Sequence, residues 1–428
     1  MHTILLVVVF FVSLGIGVPI GMAMLVTSLT MLLFVMDLPL MMLPQVMVNG
    51  LTSFELLAVP LFILAAEIMS VGGLTNRIMQ ASLVIAGQIT GGLAQVSIVA
   101  TVIFSGISGS ALADAAGLGR IQIRTMQSGG YDLKFASAVV LASCIIAPLN
   151  PLSIIGVIYA IQAHISVGKM LTAGVVPAFV VALSLMIYVW VAVKTGRVKC
   201  PAVTAPNARE GMRIIIGALP ALLAPIIIFA GLVGGIFTVT ETGVAACVYS
   251  LFAALIFYRN LTWRSFFACV QRAVVTTGFV MLMIATGTVM SYLITIDQGL
   301  LQVGAWFEHV AMAPVFKLLV LNILLLLIGA VIEGIPALLI LIPVLLPVAV
   351  GLGVDPIQFG VIMNFNLCIG LIHPPMGLAL FVVSNISGLS TETLAWAVLP
   401  FLVPLLIALL LFTYIPGISL WLPNLLFR

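Results

Sequence analysis

One run of small and hydroxyl residues, Phe104-Ser-Gly-Ile-Ser-Gly-Ser-Ala-Leu-Ala-Asp114, interrupts a long apolar stretch. Its serine hydroxyls can bind a cation or a carboxylate, and its two glycines allow backbone conformations closed to other residues. Asp114 follows Ser110 by four residues, so the two share a helix face. A carboxylate at mid-membrane is costly and marks a candidate functional site. The alternative is that the small residues only let helices pack closely.

Proline interrupts the sequence at two later places, Ala147-Pro-Leu-Asn-Pro151 and Leu371-Ile-His-Pro-Pro375. Proline removes an N–H donor and frees a carbonyl one turn earlier, and unwound carbonyls in broken membrane helices can coordinate Na⁺. Two breaks, each after a polar or glycine-containing tip, predict two Na⁺ sites. The first would use Ser105, Ser108, Gly109 and Asn150, and the second would use Gly329, Glu333, Gly370, His373 and Met376. The alternative is that the prolines only kink packed helices.

Other charged residues admit two interpretations each. Glu67 and Glu241 lie in apolar stretches, where each is either a cation or proton ligand or a hydrogen-bonded structural acid. Asp132 and Asp355 precede apolar stretches and are expected to cap helices.

Composition sets the class of protein. The chain has 428 residues, of which 63% are hydrophobic and 6% charged, with a mean hydropathy of +1.37. These values exclude a soluble globular protein and predict an all-α polytopic membrane protein. The five cysteines are scattered, without metal-ligand spacing. The N-terminus lacks a basic region and a cleavage site, and we interpret it as a first span.

Two segments are expected to be re-entrant hairpins, at 92–127 and 315–352, because their apolar arms are short for a full span and meet at a polar or glycine-containing tip. The Pro-broken helices are predicted at 135–162 and 359–386. An amphipathic stretch after Gly72 predicts an arm helix along the interface. The basic linker 194–213 and the basic loop 259–272 are expected to be cytoplasmic. The same topology places Arg120 and Arg124 inside, which explains them better than substrate binding does.

The two halves resemble each other. The tip Ser105–Ser110 parallels Ile328–Glu333, and the two proline breaks fall in matching places. Because the first half starts outside and the second starts in the cytoplasm, we predict two inverted repeats at 1–193 and 214–428, joined by the linker 194–213. Inverted repeats with interrupted helices are typical of secondary transporters whose site lies at the repeat interface.

Several motifs, in order along the chain, resemble the large membrane subunit of tripartite ATP-independent periplasmic (TRAP) transporters. They include Pro60-Leu-Phe-Ile-Leu-Ala-Ala-Glu67, the stretch 104–119, Phe237-Thr-Val-Thr-Glu241 and Gly370-Leu-Ile-His-Pro-Pro-Met-Gly377. The resemblance covers essentially the whole chain.

This resemblance implies an elevator-type fold of the ion-transporter superfamily in a bacterial inner membrane, with Na⁺-driven import of an organic acid. It implies two partners, a small four-helix membrane subunit and a periplasmic substrate-binding protein, in addition to the lipid bilayer. The substrate would be a C4-dicarboxylate, sialic acid or another sugar acid. Ser110 and Asp114 match a Ser…Ala-Asp pattern of some members, and the expected substrate-binding residues are Ser108, Ser110, Asp114, Asn150 and Ser153. No enzymatic activity and no nucleic-acid partner is expected.

The sequence departs from the family pattern at both breaks. The first usually ends Pro-Pro-Ser, where this chain has Pro151-Leu-Ser153, and the second usually has Thr where this chain has His373. These departures put the family's ligand set at either Na⁺ site in question, and proton coupling through His373 is the alternative.

Three other functions remain as alternatives. A self-sufficient Na⁺- or H⁺-coupled carboxylate carrier or antiporter would need no binding protein. An intramembrane enzyme lacks support, because neither His-Glu-x-x-His nor a nucleophile elbow is present. A channel fits poorly, since two hairpins meeting at mid-membrane block a continuous pore.

Overall fold

The computed structural model describes residues 2–36, 38–198, 200–201, 207–297, 312–373 and 377–427. Throughout these ranges the regular structure is helical and contains no strand, as the composition predicts. Seven helices in the described residues are long and apolar enough to cross a bilayer, or eight if one bent pair is counted as a span. The prediction of an all-α, multi-pass membrane protein is confirmed.

The first half of the described chain contains twelve α-helices and two short 3₁₀ turns, at Phe54–Leu57 and Ala147–Leu149. The helices are α1 (His2–Gly15), α2 (Ile20–Phe34), α3 (Met42–Leu51), α4 (Ala58–Val71), α5 (Leu74–Ala86), α6 (Gly92–Ser108), α7 (Ala111–Ala116), α8 (Leu118–Ser128), α9 (Leu133–Cys144), α10 (Ile154–Gln162), α11 (Val167–Ala173) and α12 (Val175–Lys194).

The described second half contains nine further α-helices, together with a π-helical segment at Ala253–Phe257. These are α13 (Ala208–Val233), α14 (Val239–Phe252), α15 (Trp263–Asp297), α16 (Pro314–Gly329), α17 (Gly334–Gly351), α18 (Pro356–Gly370), α19 (Leu378–Ser387), α20 (Thr391–Tyr414) and α21 (Pro416–Leu426).

The segment predicted as the first hairpin consists of α6, α7 and α8. Gly109 ends α6 with a φ of +59°, in the left-handed region that glycine adopts readily. Ser110 then caps α7 by accepting a hydrogen bond from the Ala113 N–H at 3.4 Å. The second arm of this segment is not one continuous helix, because α7 ends at Ala116, α8 begins at Leu118, and Gly117 between them has a ψ of −75°.

The first broken helix bends by 40° between Leu133–Leu149 and Ile154–Gln162. Its first part begins at Asp132, whose Oδ2 accepts from the Phe135 N–H at 3.1 Å. Its second part begins at Ser153, whose Oγ accepts from the Gly156 N–H at 3.0 Å. In the second half, Asp355 caps α18 by accepting from the Ile357 N–H at 2.8 Å, so both predicted aspartate caps are confirmed.

The two broken helices touch each other. The Tyr159 hydroxyl on α10 donates to the carbonyl of Pro356, the first residue of α18, at 2.7 Å. A Cβ on Gly360 would overlap the Tyr159 ring, so the aromatic side chain lies directly on the backbone of α18. Tyr159 is fully buried, and the contact between α10 and α18 is therefore a packed internal joint.

Helix α15 differs from the expectation. It runs for 35 residues from Trp263 to Asp297, so most of the predicted basic loop 259–272 is helical. Its apolar residues from 273 onward predict a span of ordinary length, but the charged first turns continue the same helix. Because of this extension, Arg272 is held rigidly opposite α4, where it pairs with Glu67.

Candidate functional site

A cavity of about 860 Å³ lies where both hairpin tips, both breaks and two long helices meet. The first tip contributes Ser108, Gly109 and Ser110, and the second tip contributes Glu333, Gly334 and Ile335. Pro148 and Leu371 reach it from the two breaks. A volume of this size is in the range of small-molecule sites. The structure therefore brings the predicted tips together around one space.

The polar pair at the first tip is Ser108 and Asp114. The Ser108 hydroxyl donates to Oδ1 of Asp114, and both side chains are only 2% exposed. The second carboxylate oxygen, Oδ2, is buried and has no hydrogen-bond partner among the described residues. A buried, unsatisfied carboxylate oxygen is costly, so this atom is suited to a ligand or cation.

The first tip packs tightly onto the first break. A Cβ on Gly109 would overlap the carbonyl oxygen of Leu152, so only glycine allows this approach. The Asn150 side chain donates to the Ser105 hydroxyl, which joins two residues predicted for the first Na⁺ site. Asn150 and Ser153 are buried within the break and do not line the cavity, whereas Ser108 and Ser110 do.

The second tip meets its break through backbone atoms. A Cβ on Gly370 would overlap the backbone carbonyl of Gly329, so the ends of α16 and α18 are in direct contact. Two residues predicted for the second Na⁺ site are thereby adjacent. The carbonyl of a third, His373, accepts from the Gly377 N–H at 3.3 Å. Met376 lies outside the described residues, as do Pro374 and Pro375.

Glu333, at the second tip, lies between two cavities. It lines the large cavity and also a neighbouring cavity of about 190 Å³, which Gly329 and Leu371 share. It stands at the N-cap of α17, yet its side chain makes no capping hydrogen bond. The carboxylate is therefore available to groups that enter either cavity.

Two helix N-termini point at the large cavity. Ile154 and Ile155 at the start of α10 line it, as do Gly334 and Ile335 at the start of α17. Helix N-termini carry partial positive charge and free N–H groups. Together with the Ser110 hydroxyl, they make the end of the cavity at the tips suitable for a carboxylate.

An ion pair at the other end of the cavity is not anticipated by the sequence reasoning. Nε of Arg272 on α15 lies 2.7 Å from Oε2 of Glu67 on α4, and the two residues are 205 positions apart. Arg120 on α8 lines the same cavity. By contrast, Glu241 caps α14 in a reciprocal capping box with Thr238, which is the structural alternative for that acid.

Each half also buries a side-chain hydrogen bond between its hairpin and its broken helix. In the second half, Asn366 Nδ2 donates to Asn322 Oδ1 at 2.6 Å, and Asn322 Nδ2 donates to Thr413 Oγ1 at 2.9 Å. In the first half, the Thr101 hydroxyl donates to the Ser143 hydroxyl at 3.3 Å. The asparagines within long apolar helices are the sequence signal from which the Asn366–Asn322–Thr413 hydrogen bonds could have been predicted.

The architecture defines a polytopic α-helical membrane protein with a central cavity. The fold is similar to that of the Alcanivorax borkumensis YdaH transporter, with a TM-score of 0.61, 17% sequence identity and 90% coverage of both chains.

The sequence gives the family. The chain belongs to the DctM component family of the tripartite ATP-independent periplasmic transporters, whose model matches residues 7–418. It is 38% identical to the sialic acid TRAP transporter large permease protein SiaM of Vibrio cholerae, covering 96% of this chain and 95% of that protein. It is 37% identical to the C4-dicarboxylate TRAP transporter large permease protein DctM of Pseudomonas aeruginosa, covering 87% and 86%. The chain is thus a large permease subunit of the inner membrane, and not an enzyme.

Proposed function

We propose that this permease subunit imports an organic acid, coupled to Na⁺, by moving its two hairpins and broken helices as an elevator between the two sides of the membrane. The acid is sialic acid, a C4-dicarboxylate or another sugar acid. The two halves act as inverted repeats. A periplasmic binding protein delivers the acid, and a small four-helix membrane subunit completes the complex.

The observation that carries this proposal is the meeting of both tips at one cavity, which two helix N-termini, Ser108 and Ser110 line. A carboxylate bound there accepts hydrogen bonds from N–H and O–H donors and is favoured by the two helix dipoles. Asp114 stands behind Ser108 and holds its hydroxyl in one orientation. In this role Ser108 and Ser110 touch the acid, while Asp114, Asn150 and Ser153 shape the tip and the break.

Two Na⁺ ions accompany the acid in this proposal, one at each tip and break. At the first, oxygen ligands come from Ser105, Asn150 and the backbone near Gly109. At the second, they come from the carbonyls near Gly329 and Gly370 with Glu333 and His373. Support comes from the direct contact of each tip with its break, since Na⁺ bound at such a contact would hold the hairpin closed.

Transport by the reconstituted complex tests the proposal. Proteoliposomes containing this chain and its small subunit are supplied outside with the binding protein, an inward Na⁺ gradient and radiolabelled sialic acid, succinate or gluconate. We expect uptake of one acid that requires both the binding protein and Na⁺. Uptake without the binding protein would identify a self-sufficient carrier instead. Uptake that ignores Na⁺ but follows a proton gradient would remove both Na⁺ sites and implicate His373.

A further inference from the structure

The large cavity has a second polar end, remote from the tips. Three elements line the cavity between the tips and this end, each with side chains three or four positions apart. Helix α15 presents Arg272, Thr276 and Val280, helix α4 presents Ile63, Glu67 and Ser70, and the first hairpin presents Ala113, Gly117 and Arg120. Residues spaced by three or four positions share one helix face, so each element turns one continuous strip towards the cavity.

Arginines occupy the far end of two of these strips. Arg120 lies ten residues beyond Ser110, on α8 and past the interruption at Gly117. The Arg272 side chain is 50% exposed and the Glu67 side chain 30% exposed. This end of the cavity therefore reaches the surface of the chain, and the positive-inside rule predicts that its basic residues lie on the cytoplasmic side.

The charges at this end do not balance. Glu67 neutralises Arg272, while Arg120 makes no ion pair with any of the described residues. An ion pair as exposed as Glu67–Arg272 contributes little to stability, so exchanging its carboxylate for another costs little. A second carboxylate entering the cavity would meet two guanidinium groups and one acid.

We propose that Arg272 and Arg120 form an exit site that receives the substrate's carboxylate after it leaves the tips, with Glu67 as the counter-ion that occupies Arg272 when the site is empty. This inference rests on the proposed organic-acid transport. Arg272 and Arg120 touch the acid, and Glu67 is a positioning residue that acts through Arg272. Competition between Glu67 and the substrate keeps the site weak enough for release, because every acid that binds there must displace the internal carboxylate.

Counterflow in proteoliposomes tests the exit site. The binding protein is present only outside, so only molecules in the native orientation contribute, and the internal concentration of the transported acid is varied. In Arg272→Gln we expect the half-saturating internal concentration to rise about fivefold, with Arg272→Lys partly restoring it. In Glu67→Gln we expect that concentration to fall and the maximal rate to fall with it, because release slows. Glu67→Asp keeps the acid but shortens its reach, so it should lie between Glu67→Gln and the parent.

The matched control is Arg124→Gln. Arg124 is exposed on α8 one turn beyond Arg120 but does not line the cavity, and its loss changes net charge equally. A second readout needs no transport. Thr276→Cys places a thiol on the α15 strip, and each acid of the panel should protect it from maleimide in detergent solution, less so in the Arg272→Gln background.

The outcomes separate this inference from the proposed function. If the parent takes up an acid but Arg272→Gln and Arg124→Gln behave alike, the exit site is wrong and organic-acid transport stands. If no acid is taken up while Thr276→Cys is still protected in an Arg272-dependent manner, the anion site stands and the transport conditions or substrate are wrong. Absence of both uptake and protection would overturn both proposals.

Discussion

At its tip, the first hairpin contacts its broken helix through a side-chain hydrogen bond as well as through backbone, whereas the contact described at the second tip is between backbone atoms. We refer to α6–α10 as the first unit and α16–α19 as the second unit. In the first unit, the Asn150 side chain at the break donates to the Ser105 hydroxyl of the hairpin, and Gly109 lies against the Leu152 carbonyl. In the second, Gly329 and Gly370 are in direct backbone contact.

This difference bears on how each unit can change. A contact made by side chains can be altered one residue at a time, so the first unit is suited to setting which acid is bound. A contact made by the backbone depends on the absence of side chains, so the second unit is suited to an invariant task such as holding an ion through carbonyls. The substitutions below test whether the two units divide the work in this way.

Gly370→Ala should have the largest effect. Its Cβ would overlap the Gly329 carbonyl, and since backbone cannot rotate away as a side chain can, we expect a loss of about 3 kcal/mol or more of stability together with uptake. Gly109→Ala should be comparable, because it meets the Leu152 carbonyl and also adopts a positive φ. Thermal unfolding in detergent and uptake measure both effects.

The control for these glycines is Gly278→Ala on α15, where an added Cβ meets nothing within 4 Å. It should be neutral or slightly stabilising, because alanine is the better helix former. A well-folded, active Gly370→Ala protein would show that the second unit is not held by backbone contact.

Substitutions of the two tip acids, Asp114 and Glu333, should have the next largest effects on uptake. The loss should be greater for Asp114, in the first unit. Asp114→Asn replaces the buried carboxyl group that accepts a hydrogen bond from Ser108, and we expect uptake efficiency to fall at least about tenfold. The Glu333 side chain lies at the cavity surface and makes no capping hydrogen bond. We therefore expect Glu333→Gln to lower uptake efficiency about threefold and to change its dependence on Na⁺. Initial uptake rates at varied acid and Na⁺ concentrations distinguish them. A greater loss in Glu333→Gln would reverse the assignment of substrate selection to the first unit.

Smaller losses of stability are expected when the buried hydrogen bonds Asn366–Asn322 and Thr101–Ser143 are removed. Asn366→Ala leaves Asn322 Oδ1 without its donor and should cost about 2 kcal/mol. Thr101→Val in the first unit should cost about 1 kcal/mol, because the Gln122 side chain keeps its second hydrogen bond, to the Ser97 carbonyl. A double-mutant cycle of Asn322 and Asn366, read by denaturant unfolding, isolates the pair. Equal losses in the two halves would argue against any difference in how they are packed.

The helix caps should give the smallest and most equal effects. Asp132→Ala and Asp355→Ala each remove one capping hydrogen bond at the same place in the two units, and each should cost about 1 kcal/mol of stability. Uptake should be unchanged in both. Loss of transport in Asp355→Ala at unchanged stability would show that this aspartate takes part in transport and is more than a helix cap.

The sequence predicts the features that depend on local chemistry. Glycine and serine at 105–110 mark the first tip, proline at 148 and 151 marks the bend, and aspartate at 132 and 355 marks two helix starts. Each of these residues determines the backbone within one or two turns of itself. For this reason the tips and breaks can be placed from composition and spacing alone.

Other features depend on residues far apart in the chain and escape such reasoning. Glu67 and Arg272 pair only because α4 packs against α15, and no local pattern connects them. The Asn322–Asn366 ladder likewise needs the packing of α16 against α18. The bend at Gly117 is missed for another reason, since an isolated glycine in a helical pattern is usually tolerated without a break.

The contact of Tyr159 with Pro356 has a consequence for kinetics. The Tyr159 hydroxyl joins α10 of the first broken helix to the start of α18 in the second, and its ring lies against Gly360. A displacement of one broken helix should therefore displace the other. The conformational relaxation of the two halves should then have one common time constant instead of two. Tyr159→Phe removes the hydroxyl but keeps the ring against Gly360, so it should weaken this coupling and allow a second phase to appear in the relaxation.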